Sequence, residues 1–181
     1  MIQSSQARGI GRAQRSQSLV EFSLSLVALI MLISGVVDLG RAFFVITAME
    51  DTVGEGAVFL SQNPRCVGSA VSGCGNPNNA VFRMTSAGGG LLDFTHVKPS
   101  ATTTAGDLWF KICWPAAGGS SPETYTSCST TAPPVYGYDV GEPIYVEMNY
   151  NFQLWSPFIP SIARLNPLPL KVVATNVIVV K

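Results

Sequence analysis

Charge is scarce in this chain. Asp, Glu, Lys and Arg together make up 12% of its 181 residues, and eleven acids balance eleven bases. A protein without a basic excess has no electrostatic hold on a phosphate backbone, so nucleic acid is not expected as a partner. Histidine is rarer still: the one copy, His96, lies in "LLDFTHV", and a lone histidine is usually structural or solvated. The glycine run at 88–90 lacks the Lys and Ser/Thr of a phosphate-binding loop. The four cysteines lack the CxxC knuckle of structural zinc. Asp139 and Glu142 fall in a Gly/Pro turn and Glu147 on the polar side of a strand pattern, where solvated surface is the ordinary role of an acid. Trp109, Trp114, Tyr136, Tyr138, Tyr145 and Trp155 read as residues that fill or rim a small core. These absences point away from an enzyme and imply no cofactor.

What the chain has in quantity is apolar residues, 47% of the total, and one segment holds much of the excess. Phe22 to Val37 is free of charge, and with Leu19 and Val20 it approaches the length a bilayer core requires. A transmembrane helix over 17–38 is therefore expected. Arg8, Arg12 and Arg15 precede it without an acid among them, whereas Asp38, Arg41, Glu50, Asp51 and Glu55 follow. The positive-inside bias assigns residues 1–16 to a basic cytoplasmic leader and the body to the far side of the membrane. A cleaved secretory signal is the competing reading. Its usual apolar run is shorter, and "SGVVDLGRAFF" offers no convincing small-x-small cleavage site.

Glu21, at the head of this run, poses a question. An ionisable group in a span asks for a partner and marks a functional candidate, yet at this depth it also fits a solvated place among the headgroups. The residues themselves leave both readings open.

Helical periodicity continues beyond the span. Ile46, Met49, Val53, Ala57 and Leu60 recur in steps of three or four, with Asp51, Thr52 and Glu55 off that stripe. Pro64 disfavours helix in the residue before it, so an outer amphipathic helix over 39–62 is expected to end at "QNP". From Gln17 to Ser61 this makes one helix of about 65 to 70 Å. Residues 63–181 then read as a strand-rich body broken by Gly, Ser, Pro and Asn loops. "GEPIYVEMNYNFQLW" alternates Ile144, Val146, Met148, Tyr150 and Phe152 against polar neighbours. "DLWFKICW" sets Leu108, Phe110, Ile112 and Trp114 on one side, "PLKVVATNVIVVK" is rich in β-branched residues, and "LLDFTHV" is a weaker fourth strand. The fold class expected is α+β: a long N-terminal helix packed on a small antiparallel sheet of three or four strands.

So small a sheet calls for staples. Cys66, Cys74, Cys113 and Cys128 allow three connectivities, and local pairing favours 66–74 with 113–128. Oxidation fits a body outside the cytoplasm.

The stretch "SQSLVEFSLSLVALIMLISGVVDLGRAFFVITAMEDTVGEGA" resembles the TadE-like family, minor pseudopilins of the tight-adherence (Flp) pilus machinery, related in design to type IV pilins. It carries an "EF" at the head of the apolar helix (Glu21, Phe22), a "DxGRAF" motif at its far end (Asp38, Gly40, Arg41) and an "EGA" element (Glu55, Gly56, Ala57). The resemblance implies a pilin-like fold, a single-pass inner-membrane location with the N-terminus in the cytoplasm and the body outside, and a part in building a surface pilus, either within the fibre or at its base. It also implies a prepilin peptidase that cuts between Ser16 and Gln17, making Glu21 the fifth residue of the mature chain. Ser16 stands where the family usually has glycine, and Gly54 and Val58 replace arginines that commonly flank the EGA element.

In pilin-like assemblies that glutamate is thought to pair with the new N-terminal amine of a neighbouring subunit, a sensible pairing in low dielectric if the geometry is good. Asp38 and Arg41, three apart on a helix, fit a pair with each other, a pair across subunits, or an interfacial ion pair at the membrane surface. The partners implied are the inner membrane, the peptidase, other pilins or pseudopilins and the pilus assembly platform. Two alternatives stand beside this: a permanently anchored envelope protein with an outer binding domain, and a secreted binding protein that has lost its apparent span.

Overall fold

The computed structural model describes residues 10–69, 71–98, 102–114, 127–129, 140–156 and 167–179, and only the backbone at 10–16, 96 and 127–129. Helix α1 runs from Ile10 to Gln62, 53 residues or about 80 Å. It ends two residues before Pro64. Upstream it continues unbroken through Ser16 and Gln17. Its two halves differ completely in burial. Leu19 to Ile33 is exposed along its whole circumference, whereas Met49, Val53, Ala57 and Leu60 are buried as the period of the stripe requires. At about 1.5 to 3 kcal/mol for each large apolar side chain, this stripe is what fastens the helix to the body.

A four-stranded antiparallel sheet receives the stripe, in the order β2-β1-β3-β4, with β1 at Leu108–Trp114, β2 at Ser127–Ser129, β3 at Pro143–Phe152 and β4 at Leu168–Val177. Leu108, Phe110, Ile112 and Trp114 of β1 and Ile144, Val146, Met148 and Phe152 of β3 turn inward and are buried, as their alternation predicts. Leu170, Val172 and Ala174 complete the inner face from β4. Both ends of the helix's outer half are tied to the sheet. At the far end the Val179 amide donates to the Ser61 carbonyl at 2.9 Å.

Three sequence-based expectations change. "LLDFTHV" is not a strand: Asp93 accepts a hydrogen bond from the Thr95 amide at 2.9 Å and turns Phe94–His96 into a 3-10 helix, which leaves Val97 to form a single parallel bridge to Leu108. The fourth strand comes instead from Ser127–Ser129, inside a stretch expected to be loop. Thr52 belongs to the buried face, fully enclosed, with its hydroxyl donating to the Ala48 carbonyl at 2.7 Å. A threonine can be buried in a helix because the backbone one turn earlier satisfies its hydroxyl.

A second helix, α2 at Ala80–Gly88, was not expected. Its signal is present in "NNAVFRM": Asn79 caps it, accepting from the Phe82 amide at 2.8 Å and donating to the Cys74 carbonyl and the Asn76 side chain. The Cys66–Cys74 disulfide closes the loop that delivers this cap. Cys113 is also disulfide-bonded, and its Cα partner on β2 is Cys128.

Candidate functional site

The residues singled out in the sequence lie along one face-changing rod, at three levels. At the first, Glu21 and Phe22 are exposed on the apolar half of α1, with the Gln17 amide 3.4 Å from the Glu21 carboxylate one turn away. From Leu19 to Leu32 apolar side chains point outward on every side. A helix apolar all round is built for burial in lipid or among other helices. Gln17, expected to follow the leader cleavage, is exposed, while the side chain of Ser16 lies outside the described residues.

At the second level the end of the charge-free run meets the sheet. Asp38 is 2% exposed, and its two oxygens accept hydrogen bonds from the Trp155 amide at 3.1 Å and the Ser156 amide at 2.9 Å. These amides belong to the chain just past β3, where no further ladder partner awaits them. The carboxylate ends the strand in the way a side chain caps a helix. Arg41, one turn on, approaches Asp38 at 3.5 Å, and its guanidinium lies over the ring of Trp155 at 3.8 Å and that of Phe152 at 5.1 Å. Asp38 and Arg41 therefore engage each other and the body of their own chain. The sequence exposed the pair but not its partners: backbone amides 117 and 118 residues away carry no side-chain signature. Trp155 itself neither fills nor rims the core, being 72% exposed. Trp114 and Tyr145 are buried as expected. Tyr136, Tyr138 and Asp139 lie outside the described residues.

The third level is the "EGA" element, which faces α2. Glu55 reaches Arg83 at 3.8 Å across the helix pair, and Arg83 also lies over Phe59. Gly56 has no side chain because Met84 occupies the space: a Cβ there would come within 2.7 Å of Met84 Cγ and Sδ. Gly88 of α2 is pressed in the same way against Thr52 and Phe94. Ala57 turns toward the core. The motif thus brings two helices into close backbone approach.

Beyond the rod, Glu147 is half-buried rather than simply solvated. It bridges Lys111 at 3.4 Å on β1 and Lys171 at 2.9 Å on β4, and accepts from Asn149. An open groove of about 610 Å³ runs past Thr85, Leu91 and Phe94 at the end of α2. It gathers no set of chemically reactive side chains.

The arrangement defines a class: an α+β protein in which, among the described residues, one helix is long and apolar enough to cross a membrane in its first half and forms the spine of a folded body in its second. Residues 17–58 match the family model described as TadE-like protein. This part of the chain is therefore similar to the TadE-like family, and Glu21, Asp38, Arg41 and residues 55–57 all fall inside the match. No curated protein and no solved structure matches the chain.

Proposed function

We propose that this protein is a minor pseudopilin of a tight-adherence pilus system. Its work is mechanical, not enzymatic: it inserts by the first half of α1, loses a leader, and joins other pilins or pseudopilins and the assembly platform by helix packing. The observation that carries this reading is the family match over an apolar helix half left uncovered on all sides in the isolated chain. The arginines before the span support the orientation it requires, with the N-terminus cytoplasmic and residues 63–181 outside. The prepilin peptidase would act between Ser16 and Gln17, and Glu21 would meet the freed terminus of a neighbour.

The test is the N-terminus of the native, membrane-extracted protein by mass spectrometry, together with exchange of Glu21 for Ala. The expected result is a chain starting at Gln17 and loss of pilus production in Glu21→Ala. An intact leader in a host with active peptidase, with piliation indifferent to Glu21→Ala, would support the permanently anchored alternative.

A further inference from the structure

The surface just beyond the charge-free run has a composition of its own. Leu39, Phe43 and Phe44 are each at least 60% exposed, and Trp155, seated on Arg41, is more exposed still. Leu39 to Phe44 occupies about 8 Å of helix axis. Trp155 lies at the same height because its ring touches Arg41. This depth equals one interfacial zone of a bilayer, about 5 to 8 Å on each side of a 30 Å hydrocarbon core. The position agrees as well: Leu19 to Asp38 is twenty residues, or about 30 Å.

Azimuth separates lipid from a docked protein as the occupant. Successive helical residues are about 100° apart, so Leu39, Phe43, Phe44 and Arg41 follow one another around the sides of α1 that the sheet does not cover. Trp155 closes the circuit from the sheet side. One partner helix would meet one flank of such a ring, whereas the membrane interface surrounds it. The chemistry agrees too. Aromatic rings favour the headgroup level, and of the five guanidinium donors of Arg41 one is engaged by Asp38 among the described residues, with the side chain 33% exposed.

We propose that Leu39, Arg41, Phe43, Phe44 and Trp155 form a collar that sits among phospholipid headgroups and seats the folded body on the bilayer at a fixed height. Arg41 meets lipid phosphate, and Asp38 is kept out of hydrocarbon by the Trp155 and Ser156 amides. This rests on the reading of α1 as a membrane span.

The test uses the full chain in phosphatidylcholine vesicles, with lipids brominated either near the headgroup or deep in the acyl chain as fluorescence quenchers. Shallow bromines are expected to quench tryptophan emission at least about twofold more than deep ones, and Trp155→Phe is expected to remove most of that difference. Trp109→Phe, which leaves Trp155 and the buried Trp114, serves if Trp155→Phe does not fold. A chain that floats with the vesicles while its Trp155 emission is quenched by aqueous acrylamide and not by shallow bromines overturns the collar alone. A chain that does not float overturns the span and the collar with it.

Discussion

Asp38 is a carboxylate set where an apolar helix ends, and it is kept there by two backbone amides from the far end of β3. Exchange for Asn keeps the shape but offers one acceptor oxygen in place of two, so one buried amide loses its partner. Asp38→Asn is expected to lower stability by about 1 to 3 kcal/mol, measured by denaturant unfolding of the full chain in detergent. An unchanged midpoint would mean that the latch contributes nothing. Gly54 and Gly56 make a second comparison, because they share a helix and differ only in what faces them. A Cβ at Gly54 meets nothing within 4 Å, so Gly54→Ala is expected to gain up to about 1 kcal/mol of helix propensity. At Gly56 the Cβ enters Met84, and Gly56→Ala is expected to cost about 1 to 3 kcal/mol from overpacking, read in the same unfolding assay. Equal effects at the two positions would contradict close packing of α1 on α2.

The elements differ in how openly the sequence announces them. Helix α1 and strands β1 and β3 are legible because apolar residues repeat along them at 3.6 or 2 residues, with Pro64 as a stop, and β4 because it is rich in β-branched residues. Helix α2 is short, and its apolar residues are few enough that only its Asn79 cap marks it. Strand β2 is three residues held by backbone pairing to β1, and backbone pairing has no residue code. Thr52 was misplaced because a hydroxyl satisfied within its own helix behaves as an apolar group. The candidate site divides in the same way: its motif residues were visible, but the amides that hold Asp38 and the sulfur that excludes a side chain at Gly56 come from distant sequence. Across the sheet, Glu147 joins three strands. Burial raises its carboxyl, but hydrogen bonds from Asn149 and Lys171 and the charges of Lys111 and Lys171 outweigh this and hold it below the ordinary glutamate range. The stability it contributes is therefore present above that range and lost as pH falls through the depressed value. In denaturant titrations from neutral to strongly acidic pH, the difference between the native chain and Glu147→Gln is expected to shrink toward zero at the acid end. A pH-independent difference would exclude this linkage.

For the whole molecule, the cysteines test which side of the membrane the body occupies. With Cys66–Cys74 bonded and Cys113 bonded opposite Cys128, an extracytoplasmic body should resist thiol alkylation until reduced, and peptide mapping should return the pairs 66–74 and 113–128. Alkylation of the native protein in intact cells without a reductant would place the body in the reducing compartment. The two ties of α1 to its sheet, at Asp38 and at Ser61, have a further effect on the molecule. A rod held at two points along its length cannot swivel, so the bearing of its free half is set by the body. Glu21 lies seventeen residues before Asp38, which at about 100° per residue turns it about 100° around the axis from the side that faces the sheet. Whatever approaches that carboxylate must do so beside the body's flank and not beneath its face. A row of such contacts would carry a consistent hand.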